Sequence, residues 1–284
     1  MIAVTGATGQ LGTLVVDALL KTVPADQIIA AVRTPAKAAA FAAQGIQVRE
    51  ADYAHPETLA AAFAGVTKLL LISGNELGQR VPQHKAAIDA AKAAGVTLIA
   101  YTSLLKADTS PLQLAAEHLA TEQYLQASGI PYVLLRNGWY TENWTDAIAP
   151  TLQQGAFIGS TKDGRVALAA RADYAEAAAV VLSTEGHNNK AYELAGDTSV
   201  TRADLAAEVS KQTGKTIAYH DLPEQEYEKI LATFLPHGLA SILADAEAHA
   251  ANGALDDTSH TLSKLIGRPT ESLATTVTNA LKSL

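Results

Sequence analysis

The chain has 284 residues, 48% of them hydrophobic, and a formal net charge of −8, which suits one large domain, or a domain with a smaller appendage, around a sizeable core. The absence of cysteine excludes disulfides, thiolate metal ligands and cysteine nucleophiles, and no apolar run approaches the ~18 residues of a membrane span. Acidic residues outnumber basic ones, 12 to 10 over residues 1–150 and 17 to 11 beyond, so neither part offers the basic face that nucleic acid requires.

The first predicted element is an apolar strand, Ile2 to Thr5, which leaves no room for a leader and implies a cytoplasmic location. A turn with G-x-x-G-x-x-G spacing follows at Gly6, Gly9 and Gly12, and an amphipathic run from Leu11 to Leu20 follows the turn. Strand, glycine turn and helix in this order form the opening of a dinucleotide-binding fold. Gly6 makes the tight turn, Gly9 lets backbone N–H groups approach a pyrophosphate, and Gly12 lets the helix pack on the sheet. Thr8, Gln10 and Leu11 complete the predicted phosphate-binding segment at the helix N-terminus, where unpaired N–H groups favour anions.

Further strands are predicted at Gln27 to Val32, Gln47 to Glu50, Lys68 to Ile72, Thr97 to Thr102 and Tyr132 to Leu135. Helices are predicted between them at Pro35 to Ala43, Pro56 to Phe63, Gln79 to Ala94 and Leu112 to Ser128. Gly45, Gly65, Gly95 and Gly129 stand where C-terminal caps belong. The alternation predicts an α/β fold of Rossmann type, a doubly wound parallel sheet over residues 1–136. Residues 137–284 read mainly as a smaller C-terminal α+β lobe on the substrate side, with some segments returning to the large domain. Short strands are expected there near residues 157, 191 and 216, and helices near Asp173, Thr201, Pro223, Gly238, Thr258 and Glu271, with Asp173 as an N-cap.

The end of the second strand decides the cofactor. NAD-specific folds place an acid there, whereas this chain has Arg33, whose guanidinium suits a 2′-phosphate, with Lys37 one helical turn on. NADPH is therefore the expected cofactor and NADH the weaker alternative. Loops after later strands supply the other candidates: Ser73 and Gly74 for the nicotinamide half, Tyr101, Thr102 and Ser103 for its ribose, and Asn137 beside them. Residues 137–157 hold four of the fifteen aromatics, Trp139, Tyr140, Trp144 and Phe157, which suggests a pocket wall; Asn137, Trp139, Tyr140 and Asn143 are the expected substrate contacts. His118, with Glu122 one turn later, reads as a helix-surface pair or, more weakly, as a proton donor. The histidines show no metal spacing, so no metal is expected. The acids at 224, 226, 228, 256 and 257 read as solvated faces.

Six blocks carry a family resemblance: residues 4–12, 70–73, 99–103, 134–140, 192–196 and 262–267. In these the chain resembles the NmrA-like atypical short-chain dehydrogenases over essentially its whole length. The resemblance implies a flavin-free, NADPH-dependent reductase of small quinones, with cofactor in the large domain and substrate against the small lobe. It also leaves open a reductase of triphenylmethane dyes or another planar electrophile, and a non-catalytic sensor of NADP(H). None of the nine tyrosines has a lysine four residues on, so the Tyr-x-x-x-Lys chemistry of ordinary short-chain dehydrogenases is absent. Quinone reduction does without it, because the hydroquinone anion takes its proton from water.

Overall fold

The computed structural model describes residues 1–284. In chain order the elements are β1 (Ile2–Thr5), α1 (Gln10–Leu19), β2 (Ile28–Val32), α2 (Ala39–Ala43), β3 (Gln47–Glu50), α3 (Glu57–Ala62), β4 (Lys68–Leu71), α4 (Arg80–Ala93), β5 (Leu98–Leu104), α5 (Gln113–Ala127), β6 (Tyr132–Asn137), α6 (Glu142–Thr145), α7 (Ile148–Gln154), β7 (Ala156–Gly159), α8 (Arg171–Ser183), β8 (Lys190–Leu194), α9 (Arg202–Thr213), β9 (Ala218–Asp221), α10 (Glu224–Leu231), α11 (His237–Ala250), α12 (Thr261–Ile266) and α13 (Leu273–Lys282). No helix is long and apolar enough to cross a membrane.

The chain forms two compact units. The first comprises residues 1–107, 117–137 and 172–192, and the second residues 108–116, 138–171 and 193–284. Seven strands form one sheet in the order β3-β2-β1-β4-β5-β6-β8, and every pairing from β3 to β6 is parallel. Helices cover both faces of such a sheet, so its central strands read as continuous apolar runs instead of alternating ones. That is the state of β1, β2 and β5, in which every residue is buried. Gly45, Gly65, Gly95 and Gly129 take φ of +83°, +72°, +77° and +80° just past their helices, as the sequence predicts.

Two expected boundaries move. β5 runs on to Leu104 and β6 to Asn137, so Ser103, Arg136 and Asn137 are strand residues rather than loop residues. Asp173 is not an N-cap: α8 already begins at Arg171, whose backbone N–H donates to both Glu142 carboxylate oxygens at 3.0 Å. A neighbouring carboxylate thus takes the capping role assigned to Asp173.

In the second unit β7 and β9 form a two-stranded parallel sheet. Its core includes a buried ion pair between Arg202 and Glu247, with the Arg202 guanidinium 4.3 Å over the Trp144 ring. Trp144 and Phe157 are almost completely buried, so these two aromatics are core and not pocket wall. The helix expected near Thr258 starts at Thr261, because Asp257 first accepts from the backbone and hydroxyl of Ser259 and closes a turn there.

Candidate functional site

In an open parallel sheet, ligands bind beyond the carboxyl ends of the strands, where the strand order reverses. Here the reversal lies between β1 and β4. Loops after β1, β2, β3 and β4 enclose a cavity of about 330 Å³ at this point. It is lined by Gly6, Thr8 and Gly9 from the glycine turn, Arg33, Thr34 and Lys37 after β2, Ala51, Asp52 and Tyr53 after β3, and Ile72 to Glu76 after β4, with Gln83 from α4.

The glycine turn has the local geometry that the spacing implies. Gly6 takes φ +57°, a left-handed conformation that side chains resist. A Cβ on Gly12 would stand 2.3 Å from the Gly6 carbonyl oxygen and 2.7 Å from Ala7 Cα, so only glycine lets α1 pack this closely on the turn. Gly9 is the N-cap of α1 and contributes no side-chain cap, which leaves the first-turn N–H groups to face the cavity end of the helix. This set fits a dinucleotide: a helix N-terminus for its pyrophosphate and two cations, Arg33 and Lys37, for a 2′-phosphate.

The wall after β3 and β4 is held by buried hydrogen bonds. Thr5 Oγ1 donates to the Leu70 carbonyl at 2.9 Å and accepts from Ile72 N–H at 2.9 Å and from the Tyr53 hydroxyl at 2.5 Å. One hydroxyl thereby uses its single donor and both acceptor sites to tie β1, β4 and the turn after β3. Thr102 Oγ1 accepts from Ser73 N–H at 2.8 Å. Gly74 is fastened on both sides, its N–H donating to His84 Nε2 at 2.9 Å and its carbonyl accepting from Arg80 Nε at 2.9 Å. Glu117 completes the fastening by pairing with Arg80 at 3.0 Å and accepting from Gly78 N–H at 3.1 Å.

The Gly74 bond fixes the His84 tautomer. Nε2 accepts, so the proton sits on Nδ1 and donates to Thr121 Oγ1 at 3.0 Å, while the Thr121 hydroxyl donates to the Glu117 carbonyl. Burial, aided by the Arg80 charge, pulls the His84 pKa from 6.5 down to about 3. The folded-state value lies below the unfolded one. Stability is therefore complete above pH 6.5 and is lost progressively as pH falls toward 3, where only the unfolded chain takes up the proton. Urea titrations near pH 7.5 and pH 5 should show about 2 kcal/mol of this loss from His84 alone. His84→Gln is expected to reduce the pH sensitivity by about that amount; a variant as acid-sensitive as the wild type would exclude His84 as the cause.

His118 is corrected by the structure. It is buried rather than on the helix surface, with Nδ1 2.7 Å from the Tyr101 hydroxyl. Burial, with the charge of Arg80, holds its pKa well below the usual range. Glu122 does not pair with it. The Glu122 carboxylate, itself buried, accepts from Ser103 Oγ at 2.6 Å and from Arg136 Nε at 2.9 Å and Nη2 at 2.7 Å.

Of the predicted cofactor residues, Gly6, Thr8, Gly9, Arg33, Lys37, Ser73 and Gly74 meet around the one cavity. Gln10, Leu11, Gly12, Tyr101, Thr102, Ser103 and Asn137 do not line it. Leu11 and Gly12 are buried in α1, Tyr101 is wholly enclosed in the core, and Ser103 already gives its one hydroxyl proton to Glu122. Trp139 is buried in the second unit, Tyr140 is half-buried with Arg171 5.1 Å over its ring, and Asn143 is exposed. Sequence reasoning missed Asp52, Tyr53, Glu76 and Gln83. The signal for the first two was available, since residues just past every parallel strand are site candidates.

Comparison with known proteins finds relatives over essentially the whole chain. Quinone oxidoreductase 2 of Escherichia coli is 58% identical over 280 residues, covering 98% of each chain. A crystal structure described as the NADPH-dependent quinone oxidoreductase 2 of that organism in complex with NADPH superposes with a TM-score of 0.96 at 57% identity, covering 99% of this chain and 100% of that one. The triphenylmethane reductase of Citrobacter sp., complexed with NADP(H), gives 0.94 at 42% identity with the same coverage. The NmrA-like family pattern matches residues 1–277, and the chain belongs to that family.

Proposed function

We propose that this protein is an NADPH-dependent, flavin-free reductase of small quinones. The observation that carries the reading is the cavity at the strand-order reversal, where the glycine turn, Arg33 and Lys37 converge, in a chain 58% identical to a quinone oxidoreductase. NADPH, when bound, supplies the hydride. The chain's own part is to bind and orient. Arg33 and Lys37 hold the 2′-phosphate, the N–H groups opening α1 receive the pyrophosphate, and the fastened Ser73–Gly74 segment sets the floor for the nicotinamide. Quinone, hydride and one proton give the hydroquinone anion and then the hydroquinone, and water delivers the proton. No tyrosine–lysine acid is needed, consistent with Tyr101 and His118 being spent on each other in the core. Tyr140 and Asn143, the more exposed of the predicted substrate contacts, are the candidates for meeting the quinone.

The activity is tested by following reduced-nicotinamide absorbance with purified protein, NADPH and a panel of quinones; no oxidation with any quinone, despite tight NADPH binding, would favour the sensor reading. In binding titrations with both cofactors, Arg33→Ala should narrow the NADPH-over-NADH affinity gap by about 1–3 kcal/mol, the range for hydrogen bonds to charged groups. An unchanged gap would remove Arg33 from the site.

A further inference from the structure

Glu76 lines the same cavity as Arg33 and pairs with it, Oε1 standing 3.6 Å from Arg33 Nη1. Its other oxygen accepts from Gln83 Nε2 at 2.7 Å, and Gln83 is rooted in α4, so the carboxylate is held in place. The side chains of Arg33 and Glu76 are 69% and 45% exposed, and so open an ion pair is worth only ~0–1 kcal/mol. A ligand can therefore displace it cheaply.

The two ligand types meet this pair differently. A 2′-phosphate of charge near −2 must draw Arg33 away from Glu76 and then bear the repulsion of a carboxylate beside it. A free 2′-hydroxyl is a donor, and Glu76 offers an acceptor beside Arg33, which itself stands where NAD-binding folds carry their ribose-binding acid. Arg33 and Glu76 thus pull in opposite directions within one cavity. Lys37 adds to the cationic side, and Asp52, whose Oδ1 accepts from Ala54 N–H at 3.0 Å, is the other acid lining it.

We infer that Glu76 sets the balance between phosphorylated and unphosphorylated cofactor, admitting NADH to a site that Arg33 alone would reserve for NADPH. This rests on the reading that the cavity holds the adenosine half of the cofactor. It is tested with fragments that undergo no chemistry, 2′,5′-ADP and 5′-AMP, titrated calorimetrically into the wild type, Glu76→Gln and Asp52→Asn. In Glu76→Gln the preference for 2′,5′-ADP over 5′-AMP should rise about five- to tenfold, from loss of the opposing charge and of a charged acceptor for the hydroxyl. Asp52→Asn should move it much less.

An unchanged preference in Glu76→Gln, or an equal shift in Asp52→Asn, with both fragments still binding, overturns the role of Glu76 and leaves the cofactor site standing. Binding of neither fragment to the wild type overturns both. Equal melting temperatures for wild type and Glu76→Gln establish that the comparison is between folded proteins.

Discussion

Gly12→Ala is expected to cost at least tenfold in NADPH affinity and about 1–3 kcal/mol in stability, the usual range for forcing a methyl into a filled space. The added Cβ would lie 2.3 Å from the Gly6 carbonyl oxygen and 2.7 Å from Ala7 Cα, and both neighbours are backbone. No rotamer change relieves such a clash. Either α1 withdraws from the turn or the turn opens, and in both cases Gly6, Gly9 and the helix N-terminus no longer converge on one anion. Gly9→Ala is the instructive contrast, because its Cβ would meet the same oxygen at 3.1 Å, which a shift of a few tenths of an ångström accommodates. Thermal melts and fluorescence titration with NADPH distinguish the two. A Gly12→Ala protein with wild-type melting temperature and affinity would show that the turn is not the rigid cradle described above.

Glu122→Ala should destabilise the first unit by about 3–5 kcal/mol, the range for breaking a buried ion pair from one side. Glu122 and Arg136 are both buried and share two hydrogen bonds, and the Ser103 hydroxyl points at the same carboxylate. Removing the acid takes away the carboxylate that faces a buried guanidinium in the sheet-helix interface, which is worse than removing the whole pair. The double variant Glu122→Leu, Arg136→Met should accordingly recover most of the loss in urea unfolding. If the double variant is no more stable than Glu122→Ala, the pair is not the source of the effect.

The sheet was legible because a parallel sheet covered on both faces writes itself as uninterrupted apolar runs, and β1, β2 and β5 are such runs. The place of the glycine turn and of Arg33 on the cavity was legible for a similar reason: each occupies a position local to one strand end. Glu76, Tyr53 and His84 were not. Their roles depend on loops from β3 and β4 being brought beside one another by the strand order, which no local pattern records. The misplacement of His118 has the same origin. α5 presents charged and polar residues to the protein interior, so His118 and Glu122 look like a surface pair at helical spacing, while their real partners, Tyr101 and Arg136, lie 17 and 14 residues away in sequence. The sequence shows that residues 139–157 are rich in aromatics but could not say which of them face inward, and Trp139, Trp144 and Phe157 are buried.

The first unit is assembled from three separated stretches of chain, and its last strand, β8, begins only at Lys190. During synthesis the outer edge of β6 therefore stays bare while more than fifty further residues emerge, and an uncovered strand edge is a template for pairing with another chain. The sheet of the first unit can close only once residues 172–192 have emerged, after the 138–171 stretch of the second unit and before its 193–284 stretch. The same threading means that no single cut can release the first unit as an intact piece. Severing the chain at Asn137, where the glycine-turn half looks complete on paper, would discard α8 and β8 and leave a sheet without its border. The two units, distinct by compactness, are inherited and expressed as one.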